Sequence, residues 1–341
     1  MELDLNKTRG KDYWDKFLKL KKIPPSLFYY SDKLNKEEKK ELFKYFVCIV
    51  NLETSTLCNR KCNYCPLSVY ERNEQILIED ELYSNIFNDL ASINYHSTIS
   101  LNLYNEPLLD SKIFDRLREA REKCPNAFLK FNSNGDYLTK EILDKLVDAG
   151  LNAIFLTLHV PKGKKYNDED RLNTFKIFFE KLGIGYEINE IIPSEKIISD
   201  VYYRGMRLLT EAHNWSEFGN DRGGTLEFLS SKIRTNPCVR PLREFTIAFD
   251  GRVYPCCQFY PDCESSDKYK IGTLDKNNSI FDLYVSKFLT DWRRTLFTFD
   301  KKLEPCKSCK DIDYSSLETK EKRIELLANA KNNDEIILKN F

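Results

Sequence analysis

FVCIVNLETSTLCNRKCNYC, residues 46–65, is the stretch on which the reading of this chain turns. Residues 46–53 are mostly apolar and end on Asn51-Leu52-Glu53, the composition of a strand. A short polar connector then leads to Cys58, Cys62 and Cys65, a CxxxCxxC spacing on one loop. Three thiolates so placed can hold three corners of a cubane [4Fe–4S] cluster and leave its fourth iron open to a non-protein ligand. A structural zinc ion would normally close its tetrahedron with a fourth ligand. The histidines of the chain, His96, His159 and His213, all lie well away from this loop in sequence, so zinc fits it poorly.

Outward from this stretch the chain alternates. Strands are expected over 46–53, 98–103, 127–132, 152–158 and 185–191, with a sixth beyond 197. Helices are expected over 79–93, 111–123, 139–149 and 169–182. Thr139 with Glu141 in the first turn opens one helix, and Gly150 ends it. Strand–helix units at this spacing imply an α/β fold with a parallel sheet and helices outside it. Such sheets place their chemistry beyond the C-terminal ends of the strands, where the cysteine loop falls. Residues 1–44 read as a Lys-rich helical cover interrupted by Pro24-Pro25, and 213–224 as a connector. Asp250-Gly251 sits between two short strand patterns and signals a hairpin. Helical patterns follow at 280–289 and 316–330.

Composition sets outer bounds. The 341 residues carry 53 basic and 53 acidic side chains, which excludes binding to nucleic acid through a generally basic surface. With 41% hydrophobic residues the chain can build a large core, which excludes global disorder. The apolar run at 46–50 is far too short for a membrane span, and the charged first residues lack a secretory signal. The expected location is the cytoplasm. In a reducing compartment, eleven cysteines falling into clusters point to metal or redox chemistry before disulfides. The isolated Cys48 and Cys124 read as core side chains.

The combination of motifs resembles the radical S-adenosylmethionine (SAM) superfamily over residues 45–215. The triad Cys58, Cys62 and Cys65 follows the first strand, and Tyr64 stands where the family places a ring near the adenine. Residues 101–109, Leu-Asn-Leu-Tyr-Asn-Glu-Pro-Leu-Leu, resemble the Gly-Gly-Glu-Pro segment that holds the methionine amino group. Glu106 and Pro107 are kept, while Tyr104-Asn105 replace the glycines. Asn132-Ser133-Asn134-Gly135 resembles the Thr-Asn-Gly turn near the ribose. His159, in Leu156-Thr157-Leu158-His159, stands where relatives often read Ser-Leu-Asp and is a candidate contact to SAM or substrate. The resemblance implies a partial (β/α)6 barrel that binds SAM on a [4Fe–4S] cluster. One electron would cleave SAM to a 5′-deoxyadenosyl radical, which takes hydrogen from an unactivated C–H.

A second group of cysteines lies near the other end. Cys238 and Cys256 flank the Asp250-Gly251 hairpin, and Cys306-Lys-Ser-Cys309 follows fifty residues later. By spacing alone these four thiolates suit either a zinc ribbon or an iron–sulfur site. Their order, with the phrases Phe249-Asp-Gly-Arg-Val-Tyr-Pro-Cys-Cys257 and Ile271-Gly-Thr-Leu274, resembles the SPASM or shorter twitch extension of radical SAM enzymes. That resemblance implies one auxiliary [4Fe–4S] cluster on Cys238, Cys256, Cys306 and Cys309, with Cys257 able to replace Cys256. It also implies a small cluster domain over 225–315 and a helical tail over 316–341. Cys257 and Cys263 are then spare. Each reads as packing or as a thiol that hands a hydrogen atom to a substrate radical.

The functional expectation is dehydrogenation of a carbohydrate or aminocyclitol-type small molecule, the auxiliary cluster accepting an electron and a flavodoxin or ferredoxin supplying one. Two alternatives within the class are a peptide maturase and an epimerase using a spare thiol. A non-catalytic iron–sulfur or zinc protein is the alternative outside it, and Glu106 beside a three-cysteine loop argues against that reading. A hydrolase has no Gly-x-Ser-x-Gly motif to stand on.

Overall fold

The expected alternation of strands and helices is realised in one ten-stranded sheet. The computed structural model describes residues 34–230, 233–235, 238, 240–296 and 301–310. The parts expected over 1–33 and 316–341 lie outside them. Helix α1 (Lys36–Phe46) starts at Asn35, whose side chain accepts from the Glu37 and Glu38 amides while Glu38 returns to the Asn35 N–H. The strand expected from residue 46 therefore starts later. Phe46 shares the buried face of α1 with Leu42 and Phe43, and β1 runs Ile49–Leu52.

Strands β1, β2 (Thr98–Ser100), β3 (Phe128–Ser133) and β4 (Ala153–Thr157) alternate with α2 (Asp80–Ser92), α3 (Ile113–Lys123), α4 (Lys140–Asp148) and α5 (Asp168–Leu182). Thr139 caps α4 by accepting from the Ile142 N–H at 3.2 Å, as its sequence signature requires. Beyond α5 the expectation fails. The apolar stretch 184–188 packs on the core, Tyr186 stacking on Phe179 at 4.6 Å, but it takes no place in the sheet. Only β5 (Glu190–Ile192) forms there, as an antiparallel edge strand. The fifth parallel place goes to β7 (Met206–His213), which lies beside β4 and returns from β6 (Lys196–Tyr203). The reason is a two-residue turn, Arg204-Gly205, with φ of +48° and +84°, the left-handed pair that matches the twist of an antiparallel hairpin.

A sixth parallel strand, β8 (Glu244–Ile247), comes from the C-terminal segment and pairs with β1. It turns back through Asp250-Gly251, with Gly251 at φ +83°, into β9 (Arg252–Tyr254) and then β10 (Gly272–Thr273). The helix expected over 280–289 is two, α6 (Ile280–Tyr284) and α7 (Lys287–Leu296). The sheet order is β10-β9-β8-β1-β2-β3-β4-β7-β6-β5. Helix α1 braces the C-terminal segment: Phe43 meets Phe281 and Tyr284 edge-on, and Lys39 pairs with Asp282 at 2.8 Å.

Register shows what each face of the six parallel strands does. Thr246, Asn51, Ser100, Lys130, Ala153 and Arg207 form one continuous row across β8, β1, β2, β3, β4 and β7. The rows of opposite parity read Phe245-Val50-Ile99-Leu129 and Phe131-Ile154-Leu208, and all are buried. Parallel sheets covered on both sides are usually apolar on both. Here the helices cover the apolar face, and the polar face lines the inside of a partial barrel.

Candidate active site

The three front cysteines sit where β1 ends. The Cys65 amide donates to the Cys62 carbonyl at 2.9 Å, and the Arg60 amide points at Cys58 Sγ from 3.5 Å, which folds the loop around the thiols. Burial pushes the Cys58 thiol up to about 12, and the charges of Glu106, Cys65 and Cys62 add to it. Cys62 and Cys65 are also raised, chiefly by burial. Thiols this reluctant to ionise unaided suit a site that a cationic metal group completes.

Glu106 is 2% exposed and lies beside this loop, its amide donating to the Leu57 carbonyl at 2.8 Å. Its carboxylate accepts from Ser133 Oγ and the Asn134 N–H, both at 2.8 Å, and from the Leu108 N–H at 3.2 Å. Burial raises its pKa while these three bonds pull it down. The Asn134 amide reaches Asn59 Oδ1 at 2.8 Å and faces Cys58 Sγ at 3.9 Å. The turn needs Gly135: at φ +74°, a Cβ there would also stand 2.9 Å from the Phe178 ring. On the far side of the loop the Tyr64 hydroxyl bonds His159 Nδ1 at 2.6 Å with the two rings stacked. Burial lowers His159 to about 4, which keeps its imidazole neutral.

The structure therefore gathers Cys58, Cys62, Cys65, Tyr64, Glu106, Ser133, Asn134 and His159 on one rim. Asn132 departs from that group. It is one residue out of phase with Ser133 on β3, so its side chain shares the inner barrel face with Lys130, whose Nζ donates to it at 3.1 Å.

The back cysteines converge as well. A cavity is lined by Cys238, Cys256, Cys306 and Cys309 together with Arg234, Phe259 and Trp292. Burial pushes Cys306 up to about 12, Cys309 adding to it and Arg234 opposing. Cys256 is raised well above the ordinary thiol value, by burial and then by Cys257, Cys306 and Cys238. Trp292 Nε1 is buried with no partner among the described residues, a donor left for whatever fills the cavity. Cys309 Sγ takes the Asn220 amide at 3.2 Å and faces the Arg234 guanidinium at 3.9 Å. Four thiols lining one cavity, Cys238 and Cys256 buried and Cys306 and Cys309 half-buried, with N–H donors aimed at Cys309, are of the type that holds a cluster.

Cys257 is not among the lining residues, and its thiol faces Arg240 Nη1 at 3.4 Å. Cys263, 2% exposed, packs with Leu67, Tyr104 and Tyr260 against the front loop and shares a hydrogen bond with Ser265 Oγ at 2.8 Å.

Sequence reading missed Arg222. It adopts φ +53°, rare for a non-glycine residue, donates to Gln258 Oε1 at 3.1 Å and bears electrostatically on both Cys65 and Tyr104. Its only signal was its place in Asp221-Arg222-Gly223-Gly224, a stretch that reads as a linker.

A family model of the radical SAM superfamily matches residues 52–188, and one of an iron–sulfur cluster-binding domain matches residues 238–310. Residues 52–188 of the chain thus carry a radical SAM domain. That domain is one that uses SAM on a [4Fe–4S] cluster, and the C-terminal part is matched as a domain that binds an iron–sulfur cluster. This radical SAM chain is 26% identical over 272 residues to the S-adenosyl-L-methionine-dependent 2-deoxy-scyllo-inosamine dehydrogenase of Niallia circulans, covering 79% of the chain and 95% of that protein. Its fold matches the crystal structure of BtrN in complex with AdoMet and 2-DOIA, with a TM-score of 0.60 at 22% identity over 80% of the chain and 96% of that structure. An open conformation of BtrN matches with a TM-score of 0.52 at 21% identity, covering 81% and 96%. No helix among the described residues is long and apolar enough to cross a membrane.

Proposed function

We propose that this radical SAM chain dehydrogenates a secondary alcohol of a small polyhydroxylated or aminocyclitol-type substrate. The observation that carries the reading is the polar inner barrel face, where Thr246, Asn51, Ser100 and Lys130 stand in one row and bond in turn with one another, Asn102 and Asn132 beneath the Glu106 rim. A hydroxylated ring needs such a surface, because every buried hydroxyl must find a partner. The relative in Niallia circulans, named for a reaction on 2-deoxy-scyllo-inosamine, supports the substrate class.

Cys58, Cys62 and Cys65 would hold the SAM-binding cluster, and Cys238, Cys256, Cys306 and Cys309 the auxiliary one. Cys256 is preferred to Cys257 because it lines the cavity. Bound, SAM and its cluster supply a 5′-deoxyadenosyl radical, and the auxiliary cluster supplies an electron acceptor. The carbinol carbon gives up a hydrogen atom, the hydroxyl a proton and the resulting carbon one electron, which converts C–OH to C=O. Glu106, already held by Ser133 and Asn134, would fix the SAM amino group, and Tyr64 with His159 would wall the adenine. The segment 45–215, completed by the sixth parallel strand β8 from the segment 225–315, would form the SAM-binding barrel, and the rest of 225–315 would carry the auxiliary cluster, in the cytoplasm. A flavodoxin- or ferredoxin-type protein would deliver the electron that opens the cycle.

The test is anaerobic reconstitution followed by a panel of aminocyclitols and polyols, reading ketone against 5′-deoxyadenosine. One ketone per 5′-deoxyadenosine is expected with at least one member. An epimer in place of the ketone, or turnover of peptides alone, would refute the dehydrogenase reading.

A further inference from the structure

Tyr104 stands where the related segment carries glycine. It is nevertheless tightly built in, at 7% exposure. Its N–H donates to Glu53 Oε1 at 3.0 Å, and its hydroxyl donates to the Cys257 carbonyl at 3.1 Å. Its ring meets Tyr260 edge-on, with centroids 5.1 Å apart at 90°. The Arg72 guanidinium lies over Tyr260 at 5.0 Å and closes back on Glu53 Oε1 at 2.7 Å. Contacts thus run in a closed ring, Glu53 to Tyr104 to Tyr260 to Arg72 to Glu53.

Each member comes from a different segment. Glu53 follows β1, Arg72 follows the front cysteines, Tyr104 precedes Glu106, and Tyr260 follows Cys256-Cys257. Burial works against the Arg72 cation, but Glu53 and Asp262 more than offset it, and its basicity ends above the ordinary arginine value. Asp262 takes Arg72 Nε at 2.7 Å, so the same cation grips the back loop a second time. Among these contacts the Tyr104 hydroxyl alone reaches the peptide carrying the back thiols. A glycine at this position would keep the backbone bond to Glu53 and lose both the hydroxyl and the ring.

We propose that Tyr104 is a positioning residue that locks the Cys256-Cys257 loop onto the Glu106 turn, so that the front and back cysteine sites form one rigid unit with a fixed gap for electron transfer. A glycine turn in its place lets the back loop shift relative to the SAM site. Tyr104 couples the sites through the carbonyl of Cys257, next in sequence to Cys256, whose assignment as an auxiliary ligand belongs to the reading above.

The experiment uses the anaerobically reconstituted enzyme and Tyr104→Phe, which keeps the ring and removes only the hydroxyl. Amide exchange over residues 254–260 should quicken about fivefold, the factor worth one net hydrogen bond, while exchange over 128–134 stays unchanged. In EPR-monitored titration the auxiliary signal should shift in midpoint potential, with the SAM-bound signal unmoved. Tyr104→Gly should quicken exchange further, and Tyr104→Phe is decisive alone if that variant does not fold. Unchanged exchange over 254–260 in Tyr104→Phe overturns the lock. Quickened exchange with an unmoved auxiliary potential overturns its influence on electron transfer. The exchange arm depends on no ligand assignment, so it fails or stands independently of Cys256.

Discussion

The two cysteine sites of this protein are assembled in opposite ways. The front site takes its three thiols from eight consecutive residues, 58–65, on a loop folded by its own amides. The back site draws four thiols from a span of 72 residues, 238–309, and they meet only in a cavity closed by Phe259 and Trp292. Their surroundings differ accordingly. Around the front loop stand a carboxylate, two amide or hydroxyl side chains and an imidazole, which is what an open coordination position with a polar organic ligand requires. The back site meets the thiols with apolar walls and N–H donors on sulfur, which suits a fully ligated electron carrier. Local and long-range thiols thus stand in different chemical surroundings in one chain.

The comparison breaks most sharply by removing one thiol from each site. Cys62→Ala should leave about four irons and no SAM cleavage, whereas Cys256→Ala should leave about four irons with cleavage retained. Cys257→Ala should keep about eight, because that thiol lies outside the cavity lining. Equal iron loss in the two neighbours would refute the choice of Cys256.

A smaller effect is expected from Glu106→Gln. The variant keeps the shape of the side chain and loses its charge toward an ammonium group, so the SAM KM should rise roughly 10- to 150-fold with iron content unchanged. An unaltered KM would remove Glu106 from SAM binding. The smallest change is His159→Phe, which preserves the stacked ring and deletes the bond to the Tyr64 hydroxyl. SAM affinity should fall about fivefold, read by equilibrium binding to the reconstituted enzyme. A loss as large as that of Glu106→Gln would mean that His159 hydrogen-bonds SAM directly.

Much of the front half was legible in the residues. Strand–helix alternation, the Thr139 cap and the Gly150 stop placed β1–β4 and their helices to within a few residues, because these signals act within one turn or one strand. Two boundaries misled. Phe46 looked like the start of a strand but completes the buried stripe of a capped helix, and 185–191 looked like a strand but only its end, in β5, finds a ladder neighbour. Asn132 was grouped with Ser133 by motif, yet the two-residue period of a strand turns it to the opposite face.

The sequence by itself determined the cofactor chemistry. Thiol spacing, the Glu-Pro turn and the Asn-Gly turn are local patterns, and local geometry is enough to present their side chains. Tertiary structure alone decided that β7 and β8 flank the barrel, that Cys256 rather than Cys257 faces the cavity, and that Arg222, Tyr104 and Arg72 stand between the two sites. Those outcomes depend on pairing and packing between segments far apart in the chain. Strand pairing is won by whichever distant segment buries its surface best, and no local pattern records the winner.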